Sequence, residues 1–187
     1  MQHSPLLYTV LASTALLCAC APQAIQQQVS GSLQVASATV AAGVIPEKSA
    51  GCQGTGISPQ ISWSDPPSGT QSFALIMDDK DSIHGHLHRH YFVHWLAFDM
   101  PAAKRELAEG LPRQPLPDGT QQGRNDTREF GYSGPCPAPG STHHYTITVY
   151  ALDTKLGLAL ETTGRQLLTA IDGHILARGQ IVGAYAR

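Results

Sequence analysis

A mainly β, loop-rich single domain is the fold class the sequence predicts, and three observations predict it. Charged residues make up only 14% of the 187 residues, while glycine and proline number 18 and 13, a balance that suits strands and turns better than a helical bundle. Apolar runs of strand length fall at 73–77 and 92–100, and a clean apolar/polar alternation covers 145–152. The length is enough for one proper core and too short for two. With 12 Lys and Arg against 14 Asp and Glu, the net charge of −2 leaves no basic stripe, which argues against a nucleic-acid partner.

No Asp, Glu, Lys or Arg occurs before Glu47. Within that stretch, residues 6–19 are apolar, short for a bilayer span but suited to the core of a secretory signal. They end in Leu17-Cys18-Ala19-Cys20, which resembles a bacterial lipobox although the leader lacks a positive charge. On that resemblance residues 1–19 are a signal peptide, and Cys20 is acylated, with palmitate among the chains, and anchors the chain to the membrane. A signal cleaved without lipidation, or a plain N-terminal anchor, is the alternative. Either way the domain is exported. Residues 20–32, rich in Gln, Ser and Ala, read as a flexible tether. Of the four cysteines, export leaves Cys52 and Cys136, which are either bridged or two buried thiols.

The domain then starts at 33. Residues 33–37 alternate and predict a first strand, and the glycines at 51, 54 and 56 match neither a dinucleotide fingerprint nor a P-loop, so they are turn glycines. Residues 66–70 form a turn, and 73–77 a buried strand feeding the acidic loop Asp78-Asp79-Lys80-Asp81. Next come His84, His86, His88 and His90 at every second position. On an extended segment they share a face and form weak candidates for a transition metal, but no Cys or carboxylate is interleaved, and a solvated loop is the simpler reading. Residues 92–100 form a strand apolar enough to be buried on both faces, yet it carries His94. Pro101 ends it, and 102–107 suggests a turn or two of helix. Residues 110–130 make a polar loop long enough to be functional. Thr163 is the expected N-cap of a short helix placing Leu167, Leu168 and Ile171 on one face and ending at Gly173, followed by a closing strand over 175–185.

Several motifs, in order, carry a more specific message: Ser58-Pro59-Gln60-Ile61-Ser62-Trp63, residues 73–81, His94-Trp95, Gly123-Arg124-Asn125-Asp126, Gly131-Tyr132-Ser133-Gly134-Pro135-Cys136, residues 140–145, Tyr150-Ala151-Leu152-Asp153 and Gly173-His174-Ile175-Leu176-Ala177. Together they resemble the phosphatidylethanolamine-binding protein family, also called Raf kinase inhibitor-like proteins, in its bacterial branch. The resemblance spans residues 33–187. It implies a β-sandwich-like core with a few short helices and a small pocket for phosphate-type anions. By motif, the pocket residues are Asp79, His94, Gly134, Cys136, His143 and Tyr145, supported by Asp81 and Pro135. Two positions depart from the family pattern: Lys80 stands where a proline is expected and His144 where an arginine is, so an Asp81 ion pair here requires a protonated His144.

From the residue chemistry, two imidazoles, a phenol and loop N–H groups supply donors for an anion, and Asp79 is expected to accept the N–H of His94 and fix its tautomer. The expected function is an exported, periplasm-facing binding protein for a small phosphate-containing ligand or headgroup, without a cofactor and without enzymatic activity. A protease inhibitor is the alternative, and a phosphoester hydrolase using the Asp-His pair a further one, against which stands the absence of Gly-x-Ser-x-Gly and His-Glu-x-x-His signatures. Association into a homodimer stays open.

Overall fold

The computed structural model describes residues 31–82 and 91–187. Cys20 with the leader, and the four alternating histidines, lie outside the described residues. The architecture is mainly β, with two sheets among the described residues. The larger sheet has the order β1-β9-β8-β4-β5-β7, built from β1 (Gly31–Ser32), β9 (Ile175–Ala186), β8 (Thr142–Leu152), β4 (Ser72–Asp79), β5 (Phe92–Pro101) and β7 (Gln121–Gln122). The smaller has the order β2-β3-β6, from β2 (Val35–Ala36), β3 (Ile61–Trp63) and β6 (Glu106–Leu107). Two 3-10 turns, Ala41–Gly43 and Glu47–Ser49, and the α-helix α1 (Gly164–Ile171) accompany the sheets.

Strand alternation divides the large sheet into two unequal faces. One face, with Phe73, Leu75, Met77, Trp95, Tyr145, Ile147 and Val149, packs against Ile61 and Trp63 of β3 and Leu107 of β6, and forms the main core. The opposite face, with Ala74, Ile76, Val93, Leu96 and Phe98, is covered only in part, by Leu167 and Ile171 of α1. The helix begins as its sequence predicts, with a capping box in which Thr163 and Gln166 satisfy each other's backbone N–H groups.

Three expectations change. Residues 102–107 are a turn closed by Lys104 N–H donating to the Pro101 carbonyl (2.9 Å) and then strand, not helix. Leu107 is fully buried opposite Ile61, and that packing overrides local helix preference. The strand expected over 33–37 shortens to Val35–Ala36, which pairs in the smaller sheet, while Gly31–Ser32 before it pairs in parallel with β9. Gly31 and Ser32, expected in the tether, are thus part of the sheet.

The strand β5 carries the irregularity that shapes one end of the sheet. Its register against β4 pairs Met77 with Trp95 but Asp78 with Val93, so His94 is the extra residue of a β-bulge. A bulge lets consecutive side chains point the same way. His94 and Trp95 therefore both face the main-core side, His94 at the sheet's end and Trp95 deeper, where its Nε1–H donates to Gln122 Oε1 (2.9 Å).

Candidate functional site

At that end of the sheet the last residue of β4, Asp79, lies opposite Phe92 on one side and Tyr145 on the other. Every second residue points the same way, so Asp79, His143 and Tyr145 share a face with bulged His94. Together with Phe92, Ser133, Gly134, Cys136 and Thr127 they line a cavity of about 420 Å3.

The Asp79 side chain is only 3% exposed. Its Oδ1 accepts the backbone N–H groups of Asp81 (2.9 Å) and Ser82 (3.0 Å), and its Oδ2 accepts the Nδ1–H of His143 (2.7 Å). Burial pushes the carboxyl upward, but the imidazoles of His94 and His143 and the Asp81 N–H outweigh it and hold Asp79 below the usual aspartate value, ionised.

The expected Asp79–His94 hydrogen bond is absent. His94 Nε2 stands 3.9 Å from Asp79 Oδ2, beyond hydrogen-bond reach, while its Nδ1–H donates to the Ser133 carbonyl (2.9 Å). The bulge explains the difference, since it turns the ring toward the 131–136 loop, whose Ser133 N–H also donates to the His94 carbonyl (2.8 Å). Asp79 instead orients His143, two residues before its cross-strand partner Tyr145. His94 meets the Tyr145 ring edge-on at 5.1 Å, and His143 stacks on it at 6.4 Å. Burial, helped by the charges of Asp79 and Asp81, raises the Tyr145 phenol far above its ordinary value, so it stays protonated.

These bonds fix the proton inventory. A carbonyl and an ionised carboxylate only accept, so both Nδ1 atoms carry hydrogen, and each Nε2 is an acceptor when its ring is neutral and a donor when it is charged. With neutral rings the cavity carries the negative charges of Asp79 and, at its rim, of Asp81; each proton added to a ring offsets one of them.

The far wall is built by two loops that cross glycine to glycine. A Cβ on Gly134 would stand 2.4 Å from the Ser49 carbonyl oxygen and 2.5 Å from the Gly51 nitrogen, all backbone. Gly51 N–H donates to the Pro135 carbonyl (2.8 Å), and beside this crossing Cys52 and Cys136 are joined by a disulfide with Cα atoms 5.3 Å apart. Pro135 thus acts through its carbonyl as a brace. At the rim, Asp81 Oδ2 accepts both the N–H (2.7 Å) and the Nδ1–H (2.9 Å) of His144, which keep the Asp81 carboxyl low. The neutral imidazole can make this bond; only the ion pair needs its proton.

Residues 36–186, which hold every member of this cavity, match the family model for phosphatidylethanolamine-binding protein. The chain belongs to the phosphatidylethanolamine-binding protein family. Among relatives, a UPF0098 protein of Aquifex aeolicus is 43% identical over 138 residues, covering 73% of this chain and 78% of that one. A UPF0098 protein of Methanothermobacter thermautotrophicus is 39% identical over 137 residues, covering 73% and 87%. The crystal structure of E. coli YbcL, described as a new member of the mammalian PEBP family, matches with a TM-score of 0.76 at 30% identity, covering 84% of this chain and 99% of YbcL.

For this member of the phosphatidylethanolamine-binding protein family, all six pocket residues expected from sequence, Asp79, His94, Gly134, Cys136, His143 and Tyr145, line one cavity. Four contributors were not anticipated. Ser133 holds His94, and Phe92 lies 4.7 Å from its ring. Thr127 reaches the cavity because Asn125 Oδ1 accepts its N–H (3.0 Å) and hydroxyl (2.6 Å), and Asp126 Oδ2 accepts the Val93 N–H (2.8 Å) next to His94. The Gly123-Arg124-Asn125-Asp126 motif signalled this wall without revealing its role. No cluster of three or more metal-type ligands exists among the described residues.

Proposed function

We propose that the pocket binds a small phosphate-type anion, free or as a headgroup, and that binding takes up a proton. One observation carries the reading: both histidines spend their Nδ1 hydrogens inside the protein, on Ser133 and Asp79, leaving each Nε2 able to donate only as an imidazolium. An anion beside ionised Asp79 then requires at least one charged ring, and the Tyr145 phenol adds a neutral donor. Affinity falls as pH rises and the rings give up their added protons.

Isothermal titration of the purified protein with inorganic phosphate at about pH 5.5 and 8.5, in buffers of different ionisation enthalpy, tests this; at least tenfold weaker binding at the higher pH, with proton uptake, is expected. Equal affinity at both values, or no proton exchange, rules the model out.

The same reading puts the protein in the cell envelope. The Cys52–Cys136 bridge suits an oxidising compartment, and the apolar leader ending in Cys18-Ala19-Cys20 suits export with acylation at Cys20. Metabolic labelling with an alkyne fatty acid should mark the wild-type chain and not Cys20→Ser; labelling of both would reject Cys20 as the acylated residue.

A further inference from the structure

Asp78 and Asp79 are neighbours on one strand, so they leave the sheet on opposite faces. Asp79 enters the pocket already described, and Asp78 enters a second cavity, of about 630 Å3, on the face that α1 covers only in part. Oδ1 of Asp78 is buried and has no hydrogen-bond partner among the described residues. Burial pushes this carboxyl above the usual aspartate value, with Lys80 opposing the shift. Such a group weakens the fold at neutral pH.

The surroundings of Asp78 define a ligand. The cavity floor beside it carries Thr146, Thr148 and Tyr150 on adjacent β8, and the walls bring three cations, Lys80, Arg165 and Arg178, against two carboxylates, Asp78 itself and Asp126. Lys80 lowers the Asp78 carboxyl, and Arg178 acts on the Tyr150 phenol. The missing partner of Oδ1 is a donor, and cations nearby disfavour a charged one, so a neutral hydroxyl fits. Hydroxyl groups on the floor both donate and accept, matching a polyol, and the cations match one negative group. The volume lies in the range of small-molecule sites.

We infer that this cavity is a second binding site, for a small hydroxylated anion such as a sugar acid or sugar phosphate, with Asp78 accepting a ligand hydroxyl and Arg178 and Lys80 facing its charge. The inference is independent of the Asp79 pocket.

The test is a titration of the 15N-labelled full chain, followed by NMR, with D-glucuronate, D-glucose 6-phosphate, D-glucose and inorganic phosphate. At least one anionic sugar should give saturable shifts at the amides of Thr146, Thr148 and Gln180, with glucose at least tenfold weaker. Asp78→Leu, which removes the acceptor, and, separately, Arg178→Gln should each weaken that binding at least tenfold while the response of the Asp79 pocket to phosphate is unchanged. Absence of saturable shifts, shifts confined to the Asp79 pocket, or wild-type binding by Asp78→Leu or by Arg178→Gln would each overturn the assignment.

Discussion

Replacing Asp79 by asparagine tests the central electrostatic claim about the pocket. The exchange keeps the volume and keeps Oδ1 for the Asp81 and Ser82 N–H groups. It removes the charge and faces the His143 Nδ1–H with a second donor, so the 2.7 Å bond is lost unless the ring changes tautomer. A hydrogen bond to a charged group contributes about 1.5–3 kcal/mol, and two surviving bonds drop to the neutral range of about 0.5–1.5 kcal/mol each. Relief from burying a charge offsets part of this, so the net loss at pH 7 is about 2 kcal/mol. The pH dependence has a definite sign. Asp79 is more acidic folded than unfolded, so its contribution is present above the unfolded value of about 3.9 and disappears as pH falls through the folded value. Urea unfolding of parent and Asp79→Asn should show the full gap at pH 7 and a smaller one at about pH 3. A gap below about 0.5 kcal/mol at pH 7, or one of equal size at both pH values, would refute the reasoning.

Reducing the Cys52–Cys136 bridge, which closes a separation of 84 residues, should cost about 2–4 kcal/mol in urea unfolding, and Cys52→Ser with Cys136→Ser should reproduce the loss. Gly134→Ala should destabilise by about 2 kcal/mol or more, because its new methyl meets rigid backbone of Ser49 and Gly51; a melting curve unchanged from the parent would mean the crossing is slack. Thr163→Ala should cost about 1 kcal/mol through loss of the capping box and leave phosphate affinity untouched, which separates helix stability from the pocket.

Much of this molecule could be read from its residues, and the parts that could not share a cause. The apolar run 73–77 and the alternation over 145–152 come out as strands, and so does 175–185, although a register shift against β8 puts Ile175 on the face opposite Ala177, Ile181 and Tyr185. The helix was visible because the N-cap Thr163 is a local signal, though its capping partner Gln166 was not anticipated. His94 was recognisable as a pocket residue, but its partner was not. Alternation counted along β5 cannot reveal a bulge that exists only relative to β4, and the bulge hands His94 to Ser133. Residues 102–107 misled for a related reason, since Leu107 is fixed by a partner strand far away in sequence. Ser133 acts through its carbonyl, which no side-chain chemistry advertises.

The division of labour between the two histidines arises from these backbone facts. With Ser133 holding His94 and Asp79 holding His143, two imidazoles are fixed by two different acceptors, and each spends its Nδ1 hydrogen there. The carboxylate attracts an imidazolium directly at 2.7 Å, the carbonyl only through its dipole. On the proposed reading, the charged ring that meets an anion is therefore His143. In His143→Gln the proton uptake proposed to accompany phosphate binding should disappear, whereas unchanged uptake in that variant would assign it to His94.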